Sequence, residues 1–117
     1  MSQGVTVKFD KDRTLKYRYR DLPEISRRLG GKVSTRQLVD NLIAQDSDTL
    51  DVMMMVGLKR DDAALATDLN RIHELIEAYL DHGGTLGKLA MAIIAALQDG
   101  KVMPPDAPET EKPADPS

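Results

Sequence analysis

The sequence predicts an α+β fold that is mostly α, in which an N-terminal β-hairpin precedes a bundle of about five helices. Three observations carry this. Period-two alternation of apolar and polar residues is confined to the stretch from Val5 to Tyr19. Helical apolar spacing runs from Leu22 to Leu97, interrupted by glycine pairs and short polar segments. The composition then changes: Met103 to Ser117 holds five of the chain's 6 prolines, together with Asp106, Glu109, Glu111 and Asp115. Residues 1–100 are accordingly read as one small domain and residues 101–117 as a disordered acidic tail.

In the hairpin, Val5, Val7 and Phe9 share one face of the first strand, and Leu15, Tyr17 and Tyr19 that of the second, with Asp10 to Thr14 as a polar turn. An isolated hairpin is marginal in water, so it must lie on the helices or on a neighbouring copy. Asp21 is a candidate N-cap for a helix with Pro23 in its first turn and Leu22, Ile25 and Leu29 as its buried stripe, ended by Gly30-Gly31. Ser34 and Gln37 match a capping box, opening a helix with Leu38, Val39, Leu42 and Ile43 that fades by Asp46.

Ser47 or Asp48 is expected to cap the third helix, apolar nearly all round from Val52 to Val56 and therefore central in the bundle. Its three successive methionines suit gap-filling core or an adaptable contact surface. After the polar Lys59 to Asp62 and a short turn at Ala63 to Ala66, Thr67 or Asp68 opens the longest helical stretch. Leu69, Ile72, Leu75, Ile76, Tyr79 and Leu80 form one apolar stripe, and Leu86, Leu89, Ala90, Ile93, Ile94 and Leu97 form another. The break at His82-Gly83-Gly84 favours an antiparallel helical hairpin, and Gly100 is the expected C′ residue of the last helix.

The 117 residues can bury a core without covalent staples. The chain has no cysteine, which removes disulfides, thiolate metal sites and a thiol nucleophile. Aromatics are 3% of the residues, so aliphatic side chains and the 6 methionines must fill the core. No apolar run approaches the length of a membrane span, and no apolar signal segment opens the sequence, so a cytoplasmic location is expected. The net charge of -3 is the sum of +6 over residues 1–36 (10 Lys/Arg, 4 acids) and -9 over the rest (6 Lys/Arg, 15 acids). A basic head on an acidic body suggests charge-complementary contacts, including contacts between copies.

The chemistry-bearing residues assemble no known reactive motif. His73 and Glu77 share a helix face, but no third group completes a site. His82 reads as a helix-end cap. Asp46, Asp48, Asp51 and the Asp61-Asp62 pair lack calcium-loop spacing, and Gly87-Lys88 lacks the leading glycine of a phosphate loop. No enzyme activity, metal or cofactor is expected. Residues 23–43 resemble a helix-turn-helix, with Arg27, Arg28, Lys32 and Arg36 as phosphate contacts, and a small DNA-binding regulator is the alternative reading. The turn is about two residues too long for the tight form of that motif, and Asp40 would face phosphate, so nucleic acid is not the expected partner.

Taken together, the hairpin, the helix ending Leu29-Gly30-Gly31, the segment from Leu50 through Met53-Met54-Met55-Val56-Gly57-Leu58-Lys59, and the later His82-Gly83-Gly84 before Leu89 to Leu97 resemble the small tail assembly chaperones of long, non-contractile-tailed phages and related gene transfer agent proteins. The resemblance covers roughly Val5 to Gly100. It implies a non-enzymatic protein of the bacterial cytoplasm that coats the tape measure protein, helps recruit tail tube protein and forms homo-oligomers. A structural head–tail protein of a phage is a further alternative. The family carries no motif residues over as a site. The candidate partner surface is Met53, Met54 and Met55 with the outer face of Leu86, Leu89 and Ile93, and the candidate basic surface is Arg18, Arg20, Arg27, Arg28 and Arg36.

Overall fold

A computed structural model describes residues 4–102. Of residues 101–117, expected to be a disordered tail, Lys101 and Val102 are described and bond back to Gln98 O and Leu97 O, with Val102 packed against the core, while residues 103–117 lie outside the described residues. The chain forms an antiparallel hairpin followed by five α-helices, as the sequence predicts. β1 is Val5–Lys8 and β2 is Asp12–Leu15, paired from Val5↔Leu15 to Lys8↔Asp12. The connection is therefore only residues 9–11, shorter than the expected polar turn.

The register places Arg13 opposite Val7 on the covered face, where Arg13 is 9% exposed. Its guanidinium donates to both carboxylate oxygens of Asp10, at 2.9 and 3.0 Å. That pairing is what lets a cation occupy a position the alternation reserves for apolar side chains. Phe9, Leu15 and Tyr17 are buried, but Tyr19 is 79% exposed. It falls in a 3-10 turn, Tyr19–Asp21, so the expected strand ends before it and its side chain leaves the apolar face.

The helices are α1 (Leu22–Arg28), α2 (Thr35–Ile43), α3 (Ser47–Leu58), α4 (Leu69–Asp81) and α5 (Leu86–Asp99). α1 ends in a Schellman motif with Gly30 at φ 93°, Gly31 N–H bonding back to Ser26 O and Gly30 N–H to Arg27 O. The Ser34/Gln37 box caps α2 reciprocally. Asp46, rather than Ser47 or Asp48, caps α3 by accepting from Thr49 N–H. Asp68 and Thr85 cap α4 and α5. His82 closes α4 with a ring nitrogen 2.7 Å from Ala78 O.

At the end of α5 the left-handed residue is Lys101, φ 60°, and not Gly100. Gly100 is needed for space: a Cβ there would collide with the Tyr17 carbonyl oxygen. α3 is the central helix, packed against β2, α1, α2 and α4, with Met53, Met54, Val56 and Leu58 fully buried. Gly57 lets the hairpin lie on it, since a Cβ there would sit 2.5 Å from the Tyr17 hydroxyl oxygen. Tyr17 O–H donates to Met53 O at 2.6 Å, and Lys16 N–H donates to Gly57 O at 3.0 Å. α4 packs on α3, whereas α5 packs on α2 and β1. The two helices of the expected α4–α5 hairpin thus have different main packing partners. Among the described residues no helix is long and apolar enough to cross a membrane.

Candidate partner-binding groove

Apart from Ser47 at its start, three residues of α3 escape burial: Asp48 in the first turn is exposed, and Asp51 and Met55 are half-buried. Their spacing of three and four puts them on one face. α4 faces this stripe. Its apolar residues, expected to form one buried stripe, divide into two sets. Ile72 and Leu75 enter the core, while Leu69 (44% exposed) and Leu80 (38% exposed) remain open with half-buried Ile76 beside them. An open groove of about 540 Å³ runs between these surfaces, closed at one end by Leu86 at the start of α5. A smaller depression of about 200 Å³ continues it along α3 to Met55 and to Leu29 at the end of α1.

One polar contact crosses the groove. His73 Nε2 of α4 lies 3.0 Å from Asp51 Oδ2 of α3. The hydrogen bond to Asp51 raises the His73 pKa first, Asp51's charge adds to it, and the nearby Glu77 carboxylate adds a smaller share. The sequence pairs His73 with Glu77 on its own helix. The structure gives it a partner 22 positions away, which spacing within one helix cannot reveal. Asp48 and Glu77 stand on opposite edges of the groove, and among the described residues neither has an ion-pair partner.

The expected partner surface is redistributed. Met53, Met54, Leu89 and Ile93 are each 0% exposed. They are core because successive helical residues are rotated by about 100°, so three adjacent methionines cannot share one face. Met55 and Leu86 remain half-buried and touch the groove or its extension. The residues the sequence reading missed are Leu69, Ile76 and Leu80, and the signal was present: α4 carries more apolar width than one core contact uses.

The basic surface is likewise divided. Arg18, Arg20 and Arg27 are exposed. Arg28 donates to Glu24 at 2.9 Å and to Met55 Sδ at 3.5 Å, and Arg36 lies 3.8 Å from Asp40. Two of the expected phosphate contacts therefore already answer acids, and six residues, 29–34, separate α1 from α2.

At the C-terminal end of α3 a second charged cluster is closed. Asp21 sits at the N-cap position of α1, as expected, but its 2% exposed side chain does not cap that helix. It accepts from Arg18 N–H at 2.8 Å and from Arg60 Nη1 at 2.8 Å. Burial opposes ionisation most strongly at Asp21, yet Arg60, the Arg18 amide and Lys59 together hold its pKa below the usual value. Lys59 also bonds Glu24 and, with Arg28, lowers that carboxyl's pKa. No group of three or more metal-ligating side chains occurs among the described residues. Comparison of the chain with protein-family models, with curated proteins and with solved structures finds no match in any of the three.

Proposed function

We propose that this chain is a non-enzymatic assembly chaperone of phage or prophage tails, which holds amphipathic helices of the tape measure protein in the α3–α4 groove and helps bring tail tube subunits to them. The observation that carries the reading is the open apolar groove beside the central helix, with Leu69 and Leu80 exposed on α4. Large apolar side chains left open along two packed helices are the usual seat for a third. The resemblance in the Leu50 to Lys59 and His82 to Leu97 segments supplies the partner's identity. The Arg28 guanidinium, bound to Glu24, is less free for a phosphate contact through α1.

The test is binding of a tape measure fragment from the same genome at tens of micromolar protein (about 6 kcal/mol of association). The wild-type chain is expected to co-purify with the fragment and keep it soluble. Leu69→Asp and Leu80→Asp, both at exposed positions, should fold normally and lose the fragment. A wild-type chain that leaves the fragment insoluble, or variants that retain it as well as wild type, would contradict the reading.

A further inference from the structure

We infer that the helix accepted by the α3–α4 groove carries Lys or Arg along the edges of its apolar face, recognised by Asp48, Asp51 and Glu77. This rests on the groove reading above and adds the partner's charge pattern to it. The groove floor is aliphatic, and its rim carries two carboxylates on the α3 edge and one on the α4 edge, with the His73 imidazole on Asp51 and no lysine or arginine among the residues lining the main groove. The acids of the closed clusters are held differently, although the exposed Asp12, Asp61 and Asp81 also have no ion-pair partner among the described residues. Asp10, Asp21 and Glu24 are each bound to one or more guanidinium or ammonium groups. Asp48 and Glu77 are not, and Asp51 has only the half-exposed imidazole of His73.

A helix laid on the floor shields these carboxylates from water. An acidic or neutral edge leaves them desolvated and unmatched, whereas a cationic edge restores a partner to each. The same charge argues against the chain's own C-terminal segment as occupant. Residues 103–117 contain four acids against one lysine, and their apolar side chains are only Met103, Ala107 and Ala114 besides proline.

The test uses the full chain and two fluorescent amphipathic peptides of about five helical turns. Both have one Leu/Ala face, flanked by Lys in one and by Glu in the other. By fluorescence anisotropy at low salt the Lys peptide should bind roughly tenfold or more tightly than the Glu peptide, with the margin shrinking at about 0.5 M salt. In the D48N/E77Q double variant the margin should collapse, and Glu77→Lys alone should shift it toward the Glu peptide. Both positions are solvent-facing, and circular dichroism checks that the helices persist. Equal binding of the two peptides overturns the charge assignment and leaves the groove standing. A Lys preference unchanged in D48N/E77Q assigns it elsewhere and also overturns the inference. If neither peptide binds, the groove reading fails and the inference with it. Sedimentation of the unliganded chain is the last arm: a dimer lost in D48N/E77Q would give the groove to a second copy and overturn the foreign helix.

Discussion

Along α3, the side turned to the hairpin is closed by Tyr17, and its C-terminal end by Asp21, Lys59 and Arg60, whereas the side turned to α4 leaves Asp48, Asp51 and Met55 at the edge of an open groove. Both regions combine aliphatic packing with carboxylates. In the first, Asp21 is buried and held by two cations and a backbone amide. In the second, Asp48 is exposed with no ion-pair partner among the described residues, and the adjacent Leu69 and Leu80 keep more than a third of their surface. The closed region has its partners within the chain. The open one has the same chemistry without them, which is what suits it to a partner from outside.

The largest expected contrast lies in apolar truncation. Met53→Ala removes a fully buried side chain and should cost about 2–5 kcal/mol, while Leu69→Ala or Leu80→Ala should each cost less than about 1 kcal/mol, because so much of the side chain is already in water. Urea unfolding measures both. Similar losses on the two sides would erase the distinction.

Next come the two aspartates. Asp21→Asn strips the counter-charge from Arg60 and Lys59 and should cost about 2–3 kcal/mol. Asp48→Asn removes only a favourable charge in the first turn of α3, worth about 0.3–1 kcal/mol.

A third contrast is the response to acid. The Arg13 guanidinium lowers the Asp10 pKa to about 2, and Asp21 and Glu24 are also lowered by their partners. A carboxylate with a depressed folded pKa stabilises the fold above its unfolded value and loses that contribution as pH falls through the folded one. Stability should therefore hold down to about pH 5 and decline below about pH 4.5. The decline should be shallower in Asp21→Asn.

The smallest effect belongs to His73, whose raised pKa has the opposite sign. Its pairing with Asp51 is complete below the ordinary imidazole value and is lost as pH rises through the folded one. In an NMR titration, Asp51→Asn should return His73 toward about 6.5. An unchanged titration would mean that the contact across the groove does not persist in solution.

Much of this architecture was legible from local chemistry. The Ser34/Gln37 box, the Gly30-Gly31 stop and the His82 cap all act within a few residues of themselves, so their spacing is enough to read them. The centrality of α3 followed from its apolar run. What escaped was set by contacts distant in sequence. Tyr17 is matched to Gly57 and Met53, Gly100 to the Tyr17 carbonyl, and His73 to Asp51, and no periodicity announces such pairs. The methionine triplet misled differently. Three adjacent residues do not make one surface, and helix geometry admits only Met55 to the outer face that Asp48 and Asp51 already mark.

The most direct measurement is hydrogen exchange of the full chain with and without a tape measure fragment of the same genome. Added protection is expected in α4 between Leu69 and Leu80 and in the outward stripe of α3 from Asp48 to Met55, with Tyr17 and the Asp21–Arg60 cluster unchanged. Protection confined to the hairpin and Arg18–Arg20 side, or none at all with a fragment known to be helical, would contradict it.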